Sequence, residues 1–181
     1  MSPDAIGYFG QLEPLLHEDP TLWCISAWNP TGLAPYVADL TSLMRTDWHP
    51  GGFAWLLKSQ DFLQELAPRW PEAEWPRFIR QAEVRKGRQC IIPEVSRCHP
   101  LGPPAVLDHA GLGRQERISF EDFQLPVFWN QDVEDVHLGD VERMLPGPYE
   151  KLLMSDWPGD EGLVKSVRLE SLRSLSSIDS G

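Results

Sequence analysis

The feature that most constrains the fold is a nearly continuous apolar segment, residues 22–28, with the sequence Leu-Trp-Cys-Ile-Ser-Ala-Trp. The turn-forming residues Asn29, Pro30 and Gly32 follow it directly. A half-buried strand alternates apolar and polar residues, whereas a continuous apolar run is typical of a strand that is covered on both faces. The segment therefore predicts a fully buried strand.

Three helices are predicted from apolar residues at helical spacing. They cover residues 2–16, residues 53–66 and residues 72–84. Pro76 lies inside the third segment, and it is compatible with a helix only in the first turn. A fourth helical segment, residues 138–154, is predicted to be broken by Pro146-Gly147-Pro148.

Two further strands and a long loop complete the pattern. Residues 89–92 form a short apolar strand that ends at Pro93, and residues 123–129 predict an edge strand because they contain Pro126. Residues 98–113 hold three prolines and three glycines, which predicts a long loop. The alternation of strands and helices predicts an α/β fold.

Composition excludes several classes of function. The chain has 16 basic and 27 acidic residues and a net charge of -11, so it repels nucleic acid and anionic membrane surfaces. No apolar run reaches the roughly 20 residues that span a bilayer, so we expect no membrane contact from this chain itself. Residues 1–157 are predicted to form one domain, and the serine-rich residues 158–181 a disordered tail.

Basic residues are concentrated between positions 77 and 97. This stretch either forms an ordinary solvated face or faces an anionic ligand such as a nucleotide diphosphate. The six residues are Arg77, Arg80, Arg85, Lys86, Arg88 and Arg97.

The cysteines and histidines give no strong motif. Three thiols, Cys24, Cys90 and Cys98, allow one disulfide with one free cysteine or three reduced cysteines. No cysteine belongs to a C-x-x-C pair, so the spacing gives no support to a zinc site. The five histidines stand alone in the sequence, and the motifs of phosphate-binding loops, serine hydrolases and zinc proteases are absent.

Five ordered blocks between residues 20 and 97 carry a family resemblance. In order and spacing they resemble the β-1,2-N-acetylglucosaminyltransferases that start complex N-glycans, and the relatives that extend protein O-mannose. The second block is more similar to the N-glycan enzymes. The blocks are 22–29, then Arg45-Thr46-Asp47 with Pro50-Gly51 and Trp55-Leu56-Leu57, then Glu65-Leu66 with 68–71, then 85–88 with Cys90, and finally 93–97.

The resemblance implies a GT-A-type domain with a mixed sheet and an inverting transferase. The implied donor is UDP-N-acetylglucosamine, and the implied acceptor is a terminal mannose of a protein-linked glycan. A manganese ion would stabilise the leaving diphosphate, and a carboxylate base would deprotonate the attacking hydroxyl. The family is anchored in the Golgi membrane by an N-terminal helix and acts on the lumenal side.

The resemblance also assigns roles to individual residues. Phe53 and Trp75 match positions that line the N-acetylglucosamine pocket, so we expect them to share one cleft. Cys24 and Cys90 match a bridged pair in an oxidising compartment, which leaves Cys98 free. The family has an aspartate base directly after the tryptophan, but this chain has Pro76 there.

The departures from the family predict an inactive chain. Ser2-Pro3-Asp4 resembles a segment that follows the family's acidic metal-binding triplet, so we expect the N-terminal nucleotide-binding half and the metal ligand to be missing. With Pro76 at the base position, we expect neither a catalytic nor a metal-binding residue in this chain. The alternative is a catalytically dead relative that acts as a glycan- or protein-binding module.

Overall fold

A four-stranded mixed sheet lies at the centre of the computed structural model, which describes residues 1–37, 39–50, 54–98, 106–108, 115–117 and 136–155. The strands are β1 Leu22–Ser26, β2 Leu43–Thr46, β3 Trp55–Leu56 and β4 Gln89–Pro93. They lie in the order β2-β4-β1-β3, in which β1 runs parallel to β4, while β1 with β3 and β2 with β4 are antiparallel. This confirms the α/β class and the mixed sheet.

The predicted central strand is confirmed. All five residues of β1 are buried, and they are paired with other strands on both edges. Ile25 pairs with Ile91 of β4 on one edge and with Leu56 of β3 on the other. The apolar run therefore fills the middle of the sheet, as its lack of alternation predicts.

The first helix, α1 Ala5–Glu18, packs on β1 and begins three residues later than the periodicity predicts. The Tyr8 hydroxyl donates a hydrogen bond of 2.8 Å to the carbonyl oxygen of Ser26 at the end of β1. The Gln11 side chain donates to the carbonyl of Val136 at 3.0 Å and accepts from the Leu138 N–H at 2.8 Å. The helix thus joins the sheet to the segment that begins at residue 136.

The helix predicted over residues 53–66 is wrong in its first part. Trp55 and Leu56 form β3, because the free edge of β1 pairs with them and the apolar spacing fits a strand as well. The helical part begins at α2 Ser59–Asp61 and continues through a π-helical turn, Phe62–Leu66, and a 3-10 turn, Ala67–Arg69.

The helix predicted over residues 72–84 is divided in two. It forms α3 Trp75–Ile79 and α4 Ala82–Arg85, separated by the extended Gln81. Pro76 lies in the first turn of α3, as predicted. Glu74 precedes α3 in a left-handed conformation, with φ 55°.

Part of the predicted loop over residues 98–113 forms a strand instead. There β5 Val106–Asp108 pairs antiparallel with β6 Gln115–Arg117, because a second strand follows closely enough to form a ladder. The sequence analysis also missed β2, whose four residues are only partly apolar. The predicted strand at 123–129 and the tail at 158–181 lie outside the described residues.

The chain is divided into two compact units. The first is formed by residues 1–145, and the second begins at Pro146. The first includes short 3-10 helices at Ala34–Tyr36 and Val141–Met144. In the second, α5 Pro146–Ser155 begins at the proline cluster that was expected to break a helix. Within the described residues, no helix is both long and apolar enough to cross a membrane.

A buried ion pair connects distant parts of the first unit. The Arg45 guanidinium lies 2.9 Å from the Asp19 carboxylate, and it also donates to Thr21, Gln89 and the carbonyl of Met144. Burial would raise the pKa of Asp19, but hydrogen bonds to its carboxylate from Thr21 and Arg45 outweigh this effect and hold that pKa below its ordinary value. Arg45 therefore joins β2 to the end of α1, to β4 and to the 3-10 helix at 141–144.

Candidate functional site

Cys24 and Cys90 are joined by a disulfide across the two parallel strands. Their Cα atoms are 4.6 Å apart, well inside the separation of about 7 Å beyond which a bridge cannot form. Both side chains are buried, so the bond ties β1 to β4 inside the core. The bridge that the resemblance implied is present.

The third cysteine, Cys98, is free and buried. Burial raises the pKa of its thiol to about 12. Because the thiolate is the reactive form of cysteine, this side chain is chemically inert near neutral pH.

Trp75 is the middle member of a row of three indole rings, which we call the tryptophan stack (Trp55, Trp75 and Trp70). Its ring centroid lies 6.0 Å from that of Trp55 and 5.8 Å from that of Trp70, and it is nearly parallel to the second ring. All three residues are half-buried. One side of the stack covers a buried cluster formed by Trp23, Leu66, Ile79 and Val84.

The predicted partner of Trp75, Phe53, lies outside the described residues. The cleft that the two residues are expected to share therefore stays a prediction. The next residue, Ala54, is described, and its carbonyl accepts a hydrogen bond of 2.9 Å from the Ala27 N–H. Phe53 is thus two positions from Trp55, a member of the tryptophan stack.

Pro76 occupies the position at which the family resemblance implies the catalytic base. The neighbouring carboxylate of Glu74 lies 3.7 Å from the Arg77 guanidinium, and these side chains are 75% and 84% exposed. Glu72 is exposed as well. Neither carboxylate takes the place of an aspartate in the first turn of α3.

A second group of side chains, Trp48, His49 and Arg80, connects α3 to the segment after β2. The Nε of Arg80 donates a 3.0 Å hydrogen bond to the His49 carbonyl, and its guanidinium lies 3.9 Å from the centroid of the Trp48 ring. The His49 ring is buried and packs edge-on against Trp23 and Trp55. Burial, aided by the charge of Arg80, lowers the pKa of His49 to about 3, so the imidazole is neutral.

A cavity of about 270 Å³ opens at the carboxyl ends of the parallel strands β1 and β4. Ligands of α/β proteins commonly bind at this edge of the sheet. The Asn29 side chain in its lining is held in place, since it donates to the Glu94 carbonyl and accepts from Thr31. The cavity therefore offers shape and apolar surface more than polar groups, and it is lined by Asn29, Pro30, Thr31, Thr46, Trp48, Pro50 and Ile92.

Sequence reasoning missed both His49 and this cavity. His49 is isolated in the sequence, and only the return of the chain after β2 brings it to the two cysteines and to α3. The one local signal for the cavity is the Asn29-Pro30-Thr31 turn at the end of the buried apolar run.

The cations of the basic stretch at 77–97 have partners within the domain, which argues against an anion-binding face and differs from the ordinary solvated face that was the other expectation. Every one of its six cations contacts an acid or an aromatic ring. Burial would raise the pKa of Glu65, but hydrogen bonds to its carboxylate from Lys86 and Arg88 outweigh this effect and hold that pKa below its ordinary value. The contacts are Arg77–Glu74, Arg80–Trp48, Arg85–Asp47, Lys86–Glu65, Arg88 with Asp61 and Glu65, and Arg97–Asp4.

The described residues do not fit the manganese ion that the resemblance implies. Across the described ranges, one group of metal-ligand residue types converges, formed by Cys24, His49 and Cys90, and its two cysteines are joined in the disulfide. Its sulfur and nitrogen atoms are softer donors than the oxygens that Mn²⁺ prefers. The buried carboxylates of Asp4 and Asp19 are already paired with arginines.

Comparison with known proteins agrees with the motif blocks and extends beyond them. The model of the GNT-I family matches residues 1–153. An alpha-1,3-mannosyl-glycoprotein 2-beta-N-acetylglucosaminyltransferase of Arabidopsis thaliana is 32% identical over 168 residues. The alignment covers 93% of this chain and 34% of that relative, so the chain spans about a third of the relative's length.

Proposed function

The chain belongs to the GNT-I family, and on that premise we propose that it is part of the catalytic domain of an inverting N-acetylglucosaminyltransferase. The proposed reaction moves N-acetylglucosamine from UDP-N-acetylglucosamine to a terminal mannose of a protein-linked glycan. The observation that carries this proposal is the family match across residues 1–153.

We place this function on the lumenal side of the Golgi membrane. The buried Cys24–Cys90 bridge supports the placement, because structural disulfides form and persist in oxidising compartments. In the complete protein the fold would be of the GT-A type, and residues 1–157 would form one part of it.

Trp75 is proposed to form one wall of the sugar pocket. Its indole is held between two other tryptophans and remains half-buried, so its orientation is fixed while part of its surface stays accessible. Sites for small ligands combine such rigid apolar walls with a few polar groups. Phe53, close to Trp55 in the chain, is proposed as the second wall.

Pro76 removes the base from the expected position, and we propose that the 181-residue chain does not catalyse transfer. Proline has no group that accepts a proton, and it fits the first turn of α3 without strain. Loss of a general base typically lowers the rate about 10²–10⁴-fold.

A transfer assay with radiolabelled UDP-N-acetylglucosamine, Mn²⁺ and a mannose-terminated acceptor tests this proposal. We expect no product from the unaltered chain. Pro76→Asp alone should restore none, because the described residues offer no carboxylate set for the cation that stabilises the leaving diphosphate. Product from the unaltered chain would overturn the inactivity, and product from Pro76→Asp would show that the metal site is intact.

The alternative is a glycan-binding module, and the tryptophan stack is the observation that favours it. Three half-buried indoles in a row provide an apolar surface on which a pyranose ring can pack. Titration with N-acetylglucosamine should then quench tryptophan fluorescence, and Trp75→Phe should weaken the effect. Trp48→Phe, outside the stack, is the matched control, and an unchanged emission at millimolar sugar would exclude this alternative.

A further inference from the structure

The cavity at the carboxyl ends of β1 and β4 has an uncharged lining. None of the residues that the described ranges contribute to it carries a charge, so it offers no ionic partner to a diphosphate or to a hard metal ion. Its volume of about 270 Å³ lies just below the range of roughly 300–1,000 Å³ found for sites of drug-sized ligands. The cavity therefore suits one neutral ring better than a nucleotide sugar.

Trp48 supplies the aromatic wall of this cavity. Its ring is half-buried, and the Arg80 guanidinium, 3.9 Å from the ring centroid, covers one face. Arg80 also donates to the carbonyls of His49 at 3.0 Å and Pro50 at 3.5 Å. These bonds fix the segment that carries the indole to the end of α3. The indole therefore meets the cavity with its opposite face or its edge, and a fixed indole is a surface on which the apolar side of a pyranose packs.

A few polar atoms accompany the apolar wall. The Asn29 amide oxygen accepts two hydrogen bonds from Thr31, and the amide nitrogen donates one of 2.8 Å to the Glu94 carbonyl. One of the two amide N–H groups has no partner among the described residues, although Asn29 is only 1% exposed. The hydroxyl oxygens of Thr31 and Thr46, both in the lining, keep lone pairs that can accept. One donor and two acceptors beside an indole suit the hydroxyl groups of an uncharged sugar.

The cavity adjoins the base position and the tryptophan stack. Arg80 directly follows α3, and Pro76 lies four residues earlier, which is roughly 6 Å along a helix with a rise of about 1.5 Å per residue. The His49 ring, between two lining residues in the sequence, packs against Trp55 of the stack with the ring centroids 5.1 Å apart. A transferase must hold two sugars side by side in a reactive orientation. The stack is proposed for one of them, and the cavity lies next to it.

We propose that this cavity is the subsite for the mannose of the acceptor, with Trp48 as its wall and Arg80 as the residue that positions the wall. The inference rests on the proposed function, because that function supplies the identity of the sugar, while the lining selects a single uncharged pyranose. Binding in this subsite needs neither a base nor a metal ion. The subsite is therefore retained in a chain that does not catalyse transfer.

Titration with methyl α-D-mannopyranoside, followed by saturation-transfer NMR of the sugar, tests the proposal on the unaltered chain. We expect weak, saturable binding. Trp48→Leu should weaken it about tenfold, because the aromatic contact is lost. The matched control Trp75→Leu, which removes an indole of the tryptophan stack, should leave it unchanged. N-acetylglucosamine titrated into the same three chains reports on the stack, and there Trp75→Leu should have the larger effect.

Two further changes keep the test independent of the Trp48 substitution. Thr31 is exposed, so Thr31→Ala should keep the fold and weaken mannoside binding several-fold through the loss of an acceptor. Arg80→Met should also weaken it, and Arg80→Lys should recover part of the loss, because an ammonium group maintains a cation–π contact with the indole. Near-ultraviolet circular dichroism reports whether each variant keeps its packed tryptophans.

Mannoside binding that is equal in the unaltered chain and in folded Trp48→Leu and Thr31→Ala variants would overturn the proposal. So would the absence of mannoside binding, or a loss of binding caused by Trp75→Leu alone. These results are distinct from those that decide the proposed function. Product in the transfer assay would contradict the proposed inactivity, and a missing response to N-acetylglucosamine would contradict the Trp75 wall, but neither changes the mannoside binding expected at Trp48.

Discussion

The buried ion pair between Arg97 and Asp4 predicts how much a single unpaired charge destabilises this domain. The Nε of Arg97 lies 3.1 Å from the Asp4 carboxylate, and both side chains are at most 1% exposed. The guanidinium also donates to the carbonyls of Val95, at 2.6 Å, and Leu40. It therefore serves three acceptors, of which the Asp4 carboxylate and the Val95 carbonyl are buried and the Leu40 carbonyl is partly buried.

Arg97→Met keeps the aliphatic stem and removes the charge. The Asp4 carboxylate then remains buried without its cation, and the two carbonyls lose a donor. Breaking a buried pair in this way costs about 3–5 kcal/mol of unfolding free energy. For a slope of about 2–3 kcal/mol/M, the urea midpoint should fall by roughly 1–2 M.

Urea unfolding followed by tryptophan fluorescence measures this loss. The matched control is Arg77→Met, which breaks an ion pair between side chains that are 84% and 75% exposed and should cost less than about 1 kcal/mol. Asp4→Leu added to Arg97→Met should recover much of the stability, because it removes the uncompensated charge. If Arg97→Met were no more destabilising than Arg77→Met, the assignment of Arg97 as a core cation would be wrong.

Two further predictions concern the buried groups around β1 and β4. His49 is protonated below about pH 6.5 in the unfolded chain but only below about pH 3 in the folded chain. Because the unfolded state then binds more protons, the unfolding free energy should fall as the pH is lowered between these values, by up to about 1.4 kcal/mol per pH unit. His49→Phe should remove this slope in unfolding curves measured from pH 7 to pH 4, whereas the exposed His17→Gln should keep it. Replacing Cys24 and Cys90 by alanine opens a loop of 66 residues, and the chain-entropy relation gives a loss of roughly 4 kcal/mol. Thermal unfolding of the oxidised chain should show this loss, and an unchanged midpoint would contradict the structural role of the bridge.

The sequence predicted those parts of the fold that local patterns determine. The β1 run, β4 and the position of Pro76 each follow from a few neighbouring residues, and each is confirmed. Helix and strand could not be distinguished at Trp55-Leu56, because the choice depends on the free edge of β1, more than twenty residues earlier in the chain. β2 was missed for the same reason, since its pairing with β4 and not its own apolarity determines it.

The candidate site was less predictable than the fold because its parts come from distant segments. The Cys24–Cys90 pairing rested on the family resemblance, as the cysteine count alone left the reduced state open. His49 had no local pattern that pointed to the cysteines. The role of Arg80, which holds Trp48 and the His49 carbonyl, depends on a contact across about thirty residues that no spacing rule describes.

The motifs that identify the family are, in this structure, mainly structural. Arg45 of the Arg-Thr-Asp block binds Asp19, Thr21, Gln89 and the Met144 carbonyl, and Arg88 of the Arg-Lys-Gly-Arg block binds Asp61 and Glu65. Changing either would leave buried or half-buried partners unsatisfied, so folding alone is enough to maintain them. Position 76 differs from these two, because the first turn of a helix accepts a proline without losing a hydrogen bond, so a proline there leaves no partner unsatisfied. Family membership and catalytic competence therefore rest on different residues, and the base position can change while the fold that identifies the family remains intact.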